Sequence, residues 1–408
     1  MTTDIIDAPK GTDTLNDPQE KPTSWSGVFA MSVCAFALIA SEFLPVSLLT
    51  PMARDLHVTE GMTGQGIAIS GAFAVFTSLF ISALAGSLNR KTLLLGLTLA
   101  MGASGAIVAL APDYATYMLG RALIGVVVGG FWSMSAATAI RMVPRQDVPR
   151  ALAIVNGGNA LATVVAAPMG AYLGTVIGWR GAFLCLVPVS LIALAWQWKT
   201  LPSMPAAARA PGIGNVFKVF TLFRHPGVAV GMLASSLLFM GQFGLFTYVR
   251  PFLETVTNVH GTTLSLFLLV LGAAGFIGTV LIGRVLQRSF YQTLIVIPVL
   301  MAATALALIA FGSSVAIVLV LLALWGLTGT SAPVGWWAWI AQVFPKDAEA
   351  GGGLFVAVVQ LSIALGSTVG GVLFDHSGYR STFVASAALL MVCAGLTIVT
   401  ARESSVHG

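Results

Sequence analysis

Charged residues fall into short clusters along the chain. Between the clusters run uncharged, apolar stretches of about 20 residues or more, the length of helix that crosses a hydrocarbon core of ~30 Å. The stretches are continuously apolar and lack the alternation of roughly ten-residue barrel strands. Lipid offers the backbone no hydrogen-bond partner, so each is predicted to be an α-helix. The first half gives 25–49, 64–88, 92–111, 114–140, 151–177 and 181–198. The second gives 226–249, 262–282, 290–311, 314–344, 351–374 and 382–401, the ninth and tenth sharing one uncharged run divided at Gly312, Ser313 and Ser314.

A repeat appears at an offset of 200 residues: Gly178, Trp179, Arg180 and Phe183 return as Gly378, Tyr379, Arg380 and Phe383. Pro51 returns as Pro251, and Gly129 and Gly170 return as Gly329 and Gly370. Duplicated halves with a site between them are a common design for transporters. The expected fold is therefore an all-α membrane protein of twelve transmembrane helices in two pseudo-symmetric six-helix bundles, 25–198 and 226–401. A disordered cytoplasmic tail (1–24), an Ala- and Pro-rich cytoplasmic linker (199–225) and a short cytoplasmic C-terminal tail (402–408) complete the division.

Composition agrees, at 57% hydrophobic and 9% charged residues, whereas a soluble domain carries roughly 25% charged. With the N-terminus inside, cytoplasmic segments hold 15 of the 20 Lys and Arg residues, and Arg54, Arg180, Arg250 and Arg380 fall in outer loops. Both termini are then cytoplasmic, in the inner membrane. This topology and anionic lipid account for the net charge of +5, so nucleic acid is not an expected partner. Cys34, Cys185 and Cys393 lie inside spans at spacings that suggest neither a metal site nor disulfides. Residues 1–24 lack the apolar core of a cleavable signal.

Of the 15 acidic residues, Glu42 alone falls inside a span, and all five histidines lie outside or at span ends. A charged carboxylate at that depth costs about 3 kcal/mol or more, so its neighbours control its protonation. A structural carboxylate held by a permanent partner is the alternative to a proton carrier. Arg121 is the one base within a span, and both residues lie seven positions from the outer ends of their spans, ~10 Å deep, where pairing is geometrically allowed. Gln242 is the repeat equivalent of Glu42, a neutral analogue in the second half.

Gly125, Gly129 and Gly130 follow Arg121 at spacings that place small residues on one helical face, where a neighbouring backbone approaches closely. Pro168 and Gly170, with Gly174, loosen the fifth span, as a gating kink or as a tolerated membrane proline. Trp336, Trp337 and Trp339 sit near the cytoplasmic end of the tenth span and read as an interfacial belt. Trp132 and Trp325 lie near mid-span, in the core or stacking on a flat ligand. The neutral polar groups at membrane depth, Ser133, Ser135, Asn156, Asn159, Thr163, Gln242 and Gln360, suit an uncharged polyhydroxylated solute, or else link helices. A Gly-rich phosphate loop, a histidine–acid cluster and a nucleophile with a base are all missing from the sequence. An enzyme, an ATP-driven pump, a bound cofactor and a metal are therefore not expected.

The stretch RALIGVVVGG from Arg121 resembles the fourth-helix RxxxGxxxG motif of the major facilitator superfamily, in its twelve-helix drug and sugar proton antiporter branch. AAPMG ending at Gly170 is similar to that family's fifth-helix antiporter motif, without its GP core. SLNRK, with Asn89 and Arg90, resembles a truncated loop between helices two and three, with Asn89 where an aspartate is common. The resemblance covers nearly the whole of 25–401. It implies proton coupling through Arg121 and gating near Asn89 and Arg90. EFLPVSLLTPMA from Glu42, GGFWSMSA, GQFGLFTYVRP (which includes Phe246) and APVGWWAWI resemble the members that export purine ribonucleosides. They imply export of inosine-like or guanosine-like solutes in exchange for protons, with arabinose-like sugars or drugs as alternative cargo. A non-transporting membrane sensor would need an appended signalling domain or long ordered tail. By the same resemblance, helices one, four, seven and ten line a cavity around Glu42, Arg121, Trp132, Gln242 and Trp325. The protein would act by rocking of the two bundles, as a monomer among membrane lipids, with Glu42 deprotonated near Arg121 while substrate is held and protonated once it has left.

Overall fold

The computed structural model describes residues 24–84, 88–205, 226–343 and 348–406. Residues 1–23 of the expected N-terminal tail, most of the linker and Ser87 lie outside the described residues.

Helix α1 (Trp25–Asp55) starts at Ser24, whose hydroxyl accepts the Gly27 amide at 3.3 Å and donates to the Thr200 carbonyl at 2.8 Å. One residue thus caps the first helix and ties it to the end of the sixth span. The helix passes through Pro45 and Pro51 and runs beyond the expected end at Leu49. Helices α2 (Glu60–Leu84), α3 (Arg90–Ala109), α4 (Tyr114–Met142) and α5 (Val148–Val176) follow. The Asp113 carboxylate caps α4 by accepting the Thr116 amide at 2.8 Å, and this bonding holds its pKa below the usual carboxylate range. The sixth span is α6 (Gly178–Leu184) continued by α7 (Leu186–Thr200).

In the second half, α8 (Pro226–Phe246) is continued by the short α9 (Val249–Thr255), and α10 (Gly261–Arg288), α11 (Phe290–Phe311) and α12 (Val315–Val343) follow. The α11–α12 break falls at Gly312 to Ser314, as the sequence predicts. The helical run α13 (Ala348–Val406) is interrupted at Gly378, with φ 76° and ψ 176°. Among the described residues eleven helices are long and apolar enough to cross a membrane, and the last of them, Leu354–Arg402, covers 49 residues. At 1.5 Å per residue that is ~74 Å, more than twice the hydrocarbon core, so the break at Gly378 separates the eleventh span from the twelfth.

The duplication is visible in geometry. Gly178 and Gly378 both take the left-handed backbone, φ 74° and 76°, and each re-aims the chain between consecutive spans. Trp179 and Phe183 meet edge to face at 6.3 Å, and their equivalents Tyr379 and Phe383 do so at 5.8 Å. Arg180 covers the Trp179 ring at 4.3 Å, and Arg380 lies 6.0 Å from the Tyr379 ring. A side chain at Gly170 would strike Leu44, and one at Gly370 would strike Gly244, so the first and fifth helices of each half touch at equivalent positions.

The N-terminal core is divided into two apolar clusters, with Arg121 on α4 between Tyr117 of one and Ile124 of the other. The C-terminal core is continuous and takes in Val46, Ile67, Ala167 and Ala171 from the first half. Trp336 and Trp339 belong to this core at 0% and 1% exposure, stacked edge to face at 5.5 Å. The interfacial belt expected of them is therefore corrected to core packing, with Trp337 alone outside. Gly231 supplies the space for the Trp339 ring.

Candidate functional site

Glu42 lies on α1 where the two halves meet and is 4% exposed. Its Oε1 accepts a hydrogen bond of 3.2 Å from the side-chain amide of Gln360 on α13, in the opposite half. Arg121 reaches α1 from α4, but to the backbone: Nη1 donates to the Ser41 carbonyl at 2.8 Å and Nη2 to the Glu42 carbonyl at 3.0 Å. Its Nε donates to the Gly66 carbonyl on α2 at 3.0 Å. The guanidinium thus pins α1 and α2 to α4. Among the described residues the Glu42 carboxylate and the Arg121 side chain form no ion pair. The two charges share a depth, as their positions suggest, and the carboxylate's hydrogen-bond partner is Gln360.

Small residues make this possible. Gly125 and Gly129 lie against the carbonyls of Ser70 and Ala74 on α2, so α4 and α2 touch backbone to backbone beside Arg121. Gly170 makes room for Leu44 and Ser47 of α1, two residues beyond Pro168 in α5.

Gln242 occupies the matching place on α8. Its Nε2 donates to the Gly329 carbonyl at 3.2 Å, and its Oε1 is buried without a partner among the described residues. Phe43 and Phe243, 200 residues apart, stack across the halves at 5.6 Å and 24° beside Glu42. Phe246 adds an edge-on ring 6.5 Å from Phe43. The sequence reading passed over Phe43 and Phe243, although the repeat offset that pairs Glu42 with Gln242 pairs them as well.

The other expected residues are dispersed. Trp325 is 2% exposed and packs in the C-terminal core. Trp132 is half-buried, edge to face with Phe131 at 5.5 Å. The Ser135 hydroxyl turns back to the Trp132 carbonyl at 3.3 Å, and the exposed Asn156 amide donates to the Leu152 carbonyl at 2.9 Å within α5. Asn159 is half-buried. Asn89 caps α3 by accepting the Lys91 amide at 2.9 Å and bonds Ser203 at 2.7 Å, while Arg90 reaches Met134. Asn89 thus ties α3 to the segment after α7 and Arg90 ties it to α4, within one half.

Hydrogen bonds and ring stacks between the halves gather at the end of the bundle where α1 gives way to α2. The Asp375 carboxylate accepts the Gly61 amide at 3.0 Å and the Thr59 hydroxyl at 2.5 Å, and Thr368 donates to Gln65 at 3.0 Å. Arg250 donates to the Ser47 carbonyl and pairs with Glu254 at 2.9 Å. Arg250, read from the sequence as an outer-loop residue, is 7% exposed. It stands directly after an uncharged run, and a span drawn to its first charge stops at Val249, six residues before the helix ends at Thr255.

Two matching bundles of spanning helices, in contact at one end and enclosing ionisable groups where they meet, are the architecture of a membrane carrier rather than of an enzyme. The chain belongs to the Major Facilitator Superfamily, whose profile matches residues 31–351 and again 293–407. A protein of Pseudomonas aeruginosa called transcription regulatory protein OpdE is 76% identical over 396 residues, covering 97% of this chain and 98% of that protein. The purine ribonucleoside efflux pump NepI of Salmonella paratyphi B is 39% identical over 371 residues, covering 91% of this chain and 92% of the pump. Among solved structures, the nucleoside transporter NupG superposes with a TM-score of 0.75 at 14% identity, over 92% of this chain and 98% of that one. A bacterial homologue of the lysosomal transporter Spinster gives 0.75 at 15% identity, over 92% and 96%. The protein is a multi-pass membrane transporter of the superfamily fold.

Proposed function

We propose that this carrier exports purine ribonucleosides, such as inosine and guanosine, from the cytoplasm in exchange for protons, by alternating access of its two bundles. The observation that carries this reading is the carboxylate of Glu42, buried where the halves meet and bonded to the opposite half. A group so placed exchanges a proton only when the halves move, which is what coupling requires. The nucleoside cargo is supported by 39% identity to a purine ribonucleoside efflux pump along almost its full length. The bias of Lys and Arg among loops supports cytoplasmic termini in an inner membrane, so the end that gathers the hydrogen bonds between the halves faces outward. Gln242, Phe246, Trp132, Asn159 and Gln360 are the proposed substrate contacts, with the protein acting as a monomer.

The test is a solute panel in proteoliposomes holding the purified protein. Inosine and guanosine are expected to dissipate an imposed pH gradient, and arabinose is not. Dissipation by arabinose with none by the nucleosides would falsify the nucleoside reading.

The relative named as a transcription regulatory protein favours a second role that is compatible with the first. A pump that removes an inducing solute from the cytoplasm lowers transcription without contacting DNA. Loss of the regulatory effect in a transport-dead variant that is still inserted distinguishes this route from direct regulation.

A further inference from the structure

We propose that Gln360 is a positioning residue that couples opening of the closed end to the occupancy of Glu42, so that the end opens only when the carboxylate holds a proton or a substrate hydroxyl. This deepens the transport reading above and rests on it for the identity of the cargo.

The argument counts hydrogen-bond donors. Arg121, the nearest cation, already directs its Nε and both terminal nitrogens to the carbonyls of Gly66, Ser41 and Glu42. These carbonyls belong to α1 and α2, in the same half, so the arrangement travels with Glu42 when the halves tilt. Gln360 is different, because it belongs to the opposite half and donates to the carboxylate itself. Tilting the halves apart at this end withdraws that donor and leaves a buried carboxylate bare. A bare buried carboxylate is the costly state. It is relieved by a proton, which removes the charge, or by a hydroxyl of the bound solute, which replaces the amide as donor. An empty, deprotonated carrier has neither and stays closed at this end. That rule is what an antiporter needs: the carrier crosses with substrate or with proton, and the step that would leak is blocked.

Other titratable groups bear on the same motion and define the controls. Facing Glu42 from α4 are Arg121 and, beside it, Tyr117, bonded to the Thr63 carbonyl at 3.0 Å. Arg250 and Glu254 pair on α9, and nearer the rim stand Arg54 and Asp55 of α1, His57 in the turn after it, Glu60 of α2, and Asp375 and His376 of α13. Asp375 also bridges the halves, so its variant serves as the control for Glu42.

Spin labels at His57→Cys and His376→Cys, both exposed positions at this end, report its opening and replace the two histidines there. Cys185→Ser removes the exposed native thiol, while Cys34 and Cys393 are buried. In lipid without substrate, the open population of the parent is expected to rise at least fivefold as pH falls and Glu42 is protonated. Gln360→Met, which keeps the side-chain length, is expected to lose that pH response, and Glu42→Gln likewise. Asp375→Asn is expected to keep it. A parent-like response in Gln360→Met, or its disappearance in Asp375→Asn, overturns the proposal. If Gln360→Met fails to fold, Gln360→Asn, whose amide is one methylene shorter, serves in its place with the same expectation. In proteoliposomes the ratio of gradient-driven to downhill inosine flux is expected to fall at least tenfold in Gln360→Met, and an unchanged ratio also counts against the proposal. No inosine flux in the parent refutes the nucleoside reading instead, and the distance measurement still decides the role of Gln360.

Discussion

At the scale of single residues, Glu42 and Arg121 divide the work differently from what a buried acid and base at equal depth suggest. Both were legible as exceptional because a charge in a 20-residue apolar run is visible by eye. Their partners were not legible, for two reasons. The acceptors of Arg121 are backbone carbonyls, which no side chain advertises. Gln360 is one of several neutral polar residues at membrane depth and lies 318 positions from Glu42. Glu42→Gln is expected to abolish gradient-driven transport, and proton-coupled uptake persisting in vesicles that carry this variant would show the proton site to be elsewhere. Arg121→Ala strands the buried Ser41 carbonyl, which Pro45 leaves without an intrahelical donor, and is expected to destabilise the protein by about 1 to 3 kcal/mol or more. Arg121→Lys keeps the charge but not the planar fork, so its unfolding midpoint in detergent should fall between those of the parent and the alanine variant.

At the scale of helices, the number and order of spans followed from charge spacing and, for the ninth and tenth, from the Gly312–Ser314 break, because lipid forces every apolar run into a helix. Helix ends were less legible. Helix α1 continues to Asp55 and the seventh span to Thr255, since Asp55 pairs with Arg180 and Trp179 of α6 and Arg250 is buried and pairs with Glu254 one turn on. The tryptophans show the same limit, because Trp336, Trp337 and Trp339 share one short stretch while their surroundings are set by neighbouring helices. Close approach at glycines yields a paired prediction. Gly129→Ala drives a methyl into the Ala74 carbonyl of α2 and should cost ~1 to 3 kcal/mol by overpacking. Gly157 has open space where a methyl would go, so Gly157→Ala should be neutral or stabilising by about 0.5 to 1 kcal/mol through reduced backbone entropy. Thermal unfolding of the two variants compared with the parent checks both.

At the scale of the whole molecule, the repeat predicts two bundles, and the equivalent glycine joints and ring pairs bear this out in detail. Which end of the bundles is closed was not legible, because one sequence serves every state of a carrier. Closure rests on Asp375 receiving the first turn of α2 and on glycines that let the halves touch. Gly61→Val places a side chain against the Asp375 carboxylate and the Gly371 carbonyl, and so should wedge this end open. A cysteine at Thr368 should then react with a membrane-impermeant thiol reagent at least several-fold faster than in the parent, and unchanged reactivity would show that the glycine contact does not hold the end shut.

The stacking of Phe43 on Phe243 has a bearing on ancestry. A residue that touches its own counterpart makes the self-complementary contact found on the two-fold axis of a symmetric pair of identical chains. Two copies of an unduplicated six-helix ancestor could therefore have met at this end with the aromatic pair already in place. One position earlier the copies differ, carboxylate at 42 and amide at 242. The partners of that carboxylate diverged as well, Arg121 against Leu321 and Gln360 against Ala160, so a proton site on the inherited frame drew on changes in both halves.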